Sequence, residues 1–359
     1  MWPYATNPAT SPSSPMPDLT PTRLLLEAGV RENRWAGFSL AAFSVHSLFT
    51  LHGGCVSDPS DSVPWYSAGK PVTALGVLSF LTQTPQLAST SLQTTFPELA
   101  SSYFGGLNLT DVLTHRTGLR FPNLPVHSPA KEIFAILAKA EPRDFSLLPR
   151  QAAYDPRGGW WLLGQWLARQ TQIPWEDFLC QKILKPGGAA NMFFASLSRF
   201  SSVSMVEKKA GHWTSVPPSF GPGSGLCGSA TDLARLYHAL TMSGLGPQSP
   251  VPFLSQLAYE KFTRRWREGE FDATFGHMVD FGLGVILDSN RYGSTTVPYG
   301  FGTLSSPTTF GHGGARSSIA FADPEKNLAV ALCLIGLAPE NIHQPRMRTL
   351  LDQLRSDLA

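Results

Sequence analysis

Apolar positions change their period twice along this chain. Residues 23–32 repeat at helical spacing, while 38–45 and 48–51 are short strand-like runs parted by His46-Ser47, the pattern of a hairpin. From about residue 67 to 81 the spacing turns helical, and helical periods recur over 130–140, 158–171, 175–184 and 231–242. Past residue 280 the strand pattern returns at 281–287, 318–322 and 328–335, and a helix over 345–358 closes the chain. Strands at both ends around a helical middle predict an α/β (α+β) fold, with one sheet completed by both termini and a helical lobe inserted. The expected division is a loose Pro-, Ser- and Thr-rich arm at 1–21 and one domain at 22–358. Within that domain the α/β part takes in about 22–66 and 280–358, and the lobe about 67–279.

Composition narrows the function more than the fold. The 359 residues are 42% hydrophobic and 15% charged, with a formal net charge of +2, enough for a deep core and no strong field. No basic stripe interleaved with aromatics points to nucleic acid. The densest basic cluster, Arg264-Arg265 with Arg267, is offset by Glu268 and Glu270 and reads as a solvated helix face. The longest apolar run, 328–338, is about half a membrane span. Met1-Trp2-Pro3-Tyr4-Ala5 carries no basic region followed by an apolar one, so a cytoplasmic protein without a membrane partner is expected. Cys55, Cys180, Cys227 and Cys333 lie far apart and read as reduced, mostly buried thiols. His-Glu-x-x-His, Gly-x4-Gly-Lys and Gly-x-Ser-x-Gly are all absent, and no metal or organic cofactor is implied.

Ser67-Ala68-Gly69-Lys70 is the segment with chemical promise. On a helix, positions i and i+3 share a face, so Lys70 Nζ can reach Ser67 Oγ. A nearby amine kept neutral by burial can take the serine's proton, and a helix N-terminus favours the developing negative charge. The bland reading of Ser67 is a helix cap. Ser128-Pro129-Ala130-Lys131 repeats the pattern, but serine at the N-cap with proline at the first helical position is ordinary helix-start chemistry.

Further segments carry a resemblance. Ser67-Ala68-Gly69-Lys70-Pro71 resembles the first motif of the serine β-lactamase and penicillin-binding-protein superfamily, in its class C-like branch of esterases and D-aminopeptidases. Phe96-Pro97-Glu98-Leu99 and Leu113-Thr114-His115-Arg116-Thr117-Gly118-Leu119 resemble the stretch leading to the family's "LLTHTSGL" loop. Tyr154-Asp155-Pro156 falls where the family has Tyr-x-Asn, ahead of Leu162-Leu163-Gly164. Residues 225–234 resemble "GGLxSTAxDLA", and His312-Gly313-Gly314 sits at the Lys-Thr-Gly position, followed by Ala322-Asp323-Pro324-Glu325. The resemblance covers most of residues 23–358. It implies a β-lactamase/transpeptidase-like fold with an antiparallel sheet flanked by helices, and a serine hydrolase forming an acyl-enzyme on Ser67. It also implies Tyr154 beside Lys70 as a base of lowered pKa, the two titrating as a coupled pair. The backbone N–H of Ala315 would join that of Ser67 as an oxyanion hole beside Gly313 and Gly314. His312 either bonds the substrate, polarises Tyr154, or is a structural histidine in a Gly-rich turn. His115 is expected to build its loop.

Two departures shape the expected substrate. Pro156 replaces an asparagine that in relatives helps hold the lysine, and proline has neither a side-chain polar atom nor an N–H to replace it with. His312 stands where β-lactamases carry a lysine that grips a carboxylate. Both point from antibiotics toward small esters or amides. A D-amino-acid-specific peptidase or weak β-lactamase is the first alternative, and a catalytically inactive binding or scaffold pseudoenzyme is the second. Arg316 either binds an acidic group of the substrate or faces water.

Overall fold

The computed structural model describes residues 17–44, 47–118, 124–125, 128–141, 150–244 and 253–359. Most of the expected arm, Leu119, Val45 and His46 lie outside the described residues. Helices of 12 or more residues are α1 (Thr20–Arg31), α2 (Lys70–Leu81), α3 (Gly158–Thr171), α4 (Ala230–Gly244) and α5 (Glu340–Asp357). The main sheet contains β1 (Gly37–Ser44), β2 (Ser47–Gly54), β3 (Ile286–Leu287), β4 (Phe310–Gly314), β5 (Ser318–Asp323) and β6 (Leu328–Ile335). Its order is β3-β4-β5-β6-β1-β2, antiparallel throughout, so the two ends of the chain meet where β1 pairs with β6.

The alternation along β6 explains why its eight residues are all buried. Leu328, Val330, Leu332 and Leu334 face one core with α1 and α5, whereas Ala329, Ala331, Cys333 and Ile335 face the other. Burying each of the larger aliphatic side chains contributes about 1.5–3 kcal/mol. The second face is lined with alanines, Ala41, Ala320, Ala322, Ala329 and Ala331, and α4 packs across it on β1, β5 and β6. α4 therefore belongs against the sheet, although its place in the chain falls within the expected lobe. On the outer face Thr22 N and Oγ1 both donate to Asp357, tying the first helix to the last.

Four expectations shift. The strand expected over 281–287 shortens to Ile286–Leu287, because Gly284 takes a left-handed φ of +75° and turns the chain. β4 lies where the sequence predicts no strand, because glycines at 311, 313 and 314 leave no alternation to read. The last helix starts at Glu340, with Pro345 inside it. The basic cluster is also not a helix face: the helix Gln256–Thr263 ends before it, and Arg267 is fully buried in an ion pair with Asp272 at 2.9 Å. The cysteines are free, with Cys227 and Cys333 buried, Cys180 half-buried and Cys55 exposed.

Candidate active site

A three-stranded ribbon of Val63–Pro64, Leu226–Gly228 and Phe193–Phe194 feeds the chain into the Ser67 turn, with Trp65 N donating to Leu226 O at 2.9 Å. Tyr66–Gly69 form a single 3-10 turn, so the helix expected from residue 67 begins as a true α-helix only at Lys70. Tyr66 enters that turn with φ +50°, a left-handed conformation that a bulky residue keeps only where its surroundings impose it. α2 is apolar on every side and buries ten of its 12 residues. Lys70 at its first position is thereby stripped of water.

Lys70 Nζ lies 2.9 Å from Ser67 Oγ, 3.0 Å from Pro156 O and 2.8 Å from Gly223 O. Burial pushes the amine down to about 7; Asp155 opposes that shift and Arg157 adds to it. A neutral amine has two hydrogens and one lone pair. The two carbonyls can only accept, so they take both hydrogens and leave the lone pair facing the Ser67 hydroxyl. Pro156 thus holds the lysine through its backbone carbonyl, which corrects the expectation that a proline here cannot.

Tyr154 and Asp155 precede α3. The Tyr154 ring stacks on Phe275 at 4.6 Å between centroids and packs against His115, tilted by 39°, at 4.5 Å. Burial raises its phenol far above the ordinary range, against a hydrogen bond with Ser67 that lowers it. The expected lowering is therefore corrected: Tyr154 keeps its proton at neutral pH, and Lys70 is the group poised there. Asp155 turns inward. It accepts from the N–H groups of Arg157, Gly158 and Gly159 at 3.0, 3.4 and 2.9 Å, capping α3, and burial raises its carboxyl to about 6. Its own N–H donates to His115 Nδ1 at 3.0 Å, so His115 builds its loop as expected.

His312, Gly313 and Gly314 end β4 and are not in a turn. Gly314 is pressed against the Ser67 turn: a Cβ there would lie 2.2 Å from Trp65 O. Ala315 follows, and with Ser67, Tyr154 and His312 it lines a cavity of ≈ 610 Å³. His312 Nδ1 is 2.7 Å from Gly313 O, and a carbonyl accepts only, so Nδ1 carries the hydrogen. Burial, and then Lys70, lower this imidazole to about 3. Its Nε2 is a buried lone pair with no hydrogen-bond partner among the described residues.

The structure therefore gathers Ser67, Lys70, Tyr154, His312, Gly313 and Ala315 around one space. Ser128 stands one residue before Pro129, the N-cap of the short helix Ala130–Leu137, with no side-chain cap, and it does not line the cavity. Arg316 does not line it either, and its charge is felt by Glu207 on the hairpin formed by Val206–Lys209 and His212–Ser215. Sequence reading missed Gly223, whose carbonyl holds Lys70, and Tyr299, whose ring lies under Gly313 and whose hydroxyl donates to Glu340. Neither residue belongs to a motif with a side-chain signature. Among the described residues no group of three or more His, Cys, Asp or Glu could hold a metal ion, and no helix is long and apolar enough to cross a membrane.

A family model described as Beta-lactamase matches residues 57–351. EstA from Arthrobacter nitroguajacolicus Rue61a has a similar structure, with a TM-score of 0.72 at 21% identity, covering 94% of this chain and 96% of that one. A penicillin-binding protein homolog from Caulobacter crescentus gives 0.71 at 18% identity, covering 94% and 96%. A D-stereospecific amidohydrolase from Streptomyces sp. gives 0.68 at 18% identity, covering 92% and 97%. These likenesses establish a β-lactamase/transpeptidase-like fold. No curated protein is significantly similar in sequence.

Proposed function

The chain belongs to the Beta-lactamase family, and we propose that it is an esterase-like serine hydrolase, acting on small esters or amides through an acyl-enzyme at Ser67. The observation that carries this reading is the buried Lys70 amine, lowered to about 7 and 2.9 Å from Ser67 Oγ, with the Pro156 and Gly223 carbonyls beside it to take two of its hydrogens. As Ser67 Oγ attacks the substrate carbonyl, its proton passes to Lys70. Charge gathers on the carbonyl oxygen beside the backbone N–H groups of Ser67 and Ala315, where such donors contribute about 3–4 kcal/mol each. Tyr154, still a phenol, gives its proton to the leaving oxygen or nitrogen and regains one from Lys70. Water then repeats the sequence in reverse on the acyl-enzyme, releasing the acid and restoring the serine.

Ester chemistry is favoured over penicillin hydrolysis by His312. An imidazole that is neutral above about pH 3 places no cation where β-lactamases grip a carboxylate. The name of one protein of similar structure, a D-stereospecific amidohydrolase, falls at the amide end of the ester-to-amide range. The test is labelling by a fluorophosphonate, with p-nitrophenyl butyrate and nitrocefin as competing substrates. Wild type should label, accumulate a butyryl adduct on Ser67 by mass, and turn over the ester faster than nitrocefin. Labelling equal to that of Ser67→Ala would leave a binding or scaffold protein as the better reading.

A further inference from the structure

Three aromatic rings form one cluster beside the cavity: Phe275 is stacked on Tyr154, and His115 packs tilted against Tyr154. Their backbones come from three separate segments, and one buried ion pair reaches all of them. Asp272 Oδ1 accepts from the N–H of Tyr154 at 3.1 Å and from that of Phe275 at 3.0 Å. Arg267 Nη1 donates to the carbonyls of Thr114 and His115 at 3.2 and 3.4 Å. Arg267 Nη2 and Asp272 Oδ2 meet at 2.9 Å, with both side chains 0% exposed. The guanidinium further donates to Val279 O and lies 4.2 Å from the Phe281 ring centroid, so its position is fixed from every side.

A buried ion pair is seldom retained for net stability, since well-packed apolar residues of similar volume often do as well. Here its bonds run to backbone groups on both sides of a single phenol. We infer that Arg267 and Asp272 form a clamp that positions Tyr154, holding the ring cluster in register so that the phenol meets Ser67 and the leaving group. This rests on the hydrolase reading above. Neither residue touches the reacting atoms; both are positioning residues. A misplacement of about 1 Å at a group transferring protons can cost on the order of 100-fold in rate.

The test is a double-mutant cycle with p-nitrophenyl butyrate, using Asp272→Asn, Tyr154→Phe and the double variant, with Arg267→Lys as the conservative control on the other partner. Asp272→Asn keeps an acceptor for the N–H groups but loses the charge. It should lower kcat by roughly 10- to 100-fold with KM little changed, and have almost no further effect in the Tyr154→Phe background. Equal losses in both backgrounds would mean general destabilisation and would overturn the clamp. A second readout needs no activity. In protein carrying labelled tyrosine, the Tyr154 ring signal, identified by its absence in Tyr154→Phe, should move toward the unstacked position in Asp272→Asn. An unmoved signal overturns the clamp, whereas a wild type that fails to label with fluorophosphonate refutes the hydrolase reading instead.

Discussion

Lys70 Nζ donates to the backbone carbonyl of Pro156 at 3.0 Å. The contact involves a residue whose side chain has nothing to offer, at a position where relatives carry an amide. Together with Gly223 O at 2.8 Å, it consumes both hydrogens of a neutral amine and so aims the lone pair. The consequences of that arrangement can be checked one at a time.

Substitution at Pro156 should matter little, because every residue brings the same carbonyl. Pro156→Ala is expected to keep ester hydrolysis within a few-fold of wild type. Gly223→Ala is expected to impair it strongly, since a Cβ there would lie 2.7 Å from Trp160 Cβ and 3.3 Å from Lys70 Nζ. Steady-state kinetics on the two variants would check the contrast, and similar losses in both would contradict it.

The pH profile follows from Lys70. The amine must be neutral to take the serine's proton, so kcat/KM should rise with pH through about 7 and then level off. His312 contributes no inflection in this range, because it is already neutral above about 3. Lys70→Ala should remove the rising limb and lower the rate by about 10²- to 10⁴-fold.

Stability should carry a mark of the same lysine at higher pH. Its folded value, about 7, lies below the ordinary 10.5, so the unfolded chain binds an extra proton between those values. Wild-type stability therefore falls as pH falls from about 10.5 to 7, and the difference is constant below that. Lys70→Met carries no such term. Its melting temperature relative to wild type should climb as the buffer is taken from pH 10 to pH 7, which scanning calorimetry can follow.

Gly314 should tolerate no side chain. A Cβ would meet Trp65 O at 2.2 Å and Ser318 Oγ at 2.1 Å, forcing β4 away from the Ser67 turn. Gly314→Ala is expected to fold, since the sheet keeps its other strands, yet to label with fluorophosphonate at least tenfold more slowly, about the effect of weakening one oxyanion donor. Labelling at the wild-type rate would place the oxyanion donors elsewhere.

The long periodic elements were readable because periodicity reports burial, and α3 falls on Gly158–Thr171 as the spacing predicts. Ser67 and Lys70 were readable because their contact is local, three residues apart. Tyr154 and His312 came from resemblance, since nothing in their spacing shows that they share a cavity. What stayed hidden works through the backbone or through long-range burial. The carbonyls of Pro156 and Gly223 carry no residue signature, glycines masked β4, and Arg267 looked like one more surface cation among Arg264 and Arg265. The tyrosine's protonation state was misjudged for the same reason. The depth of burial that raises the phenol, against the bond with Ser67, has no signature in the sequence.

α2 buries all but Ser79 and Phe80, and this ties the chemistry to the endurance of the molecule. A helix wedged among its neighbours has no low-energy way to fray, so its amides should exchange with solvent only when the whole domain opens. Loss of activity on heating should then coincide with global melting, without an earlier softening around the serine. A chain of this kind would have no half-open form that still turns over substrate: it is either folded and competent or unfolded and inert.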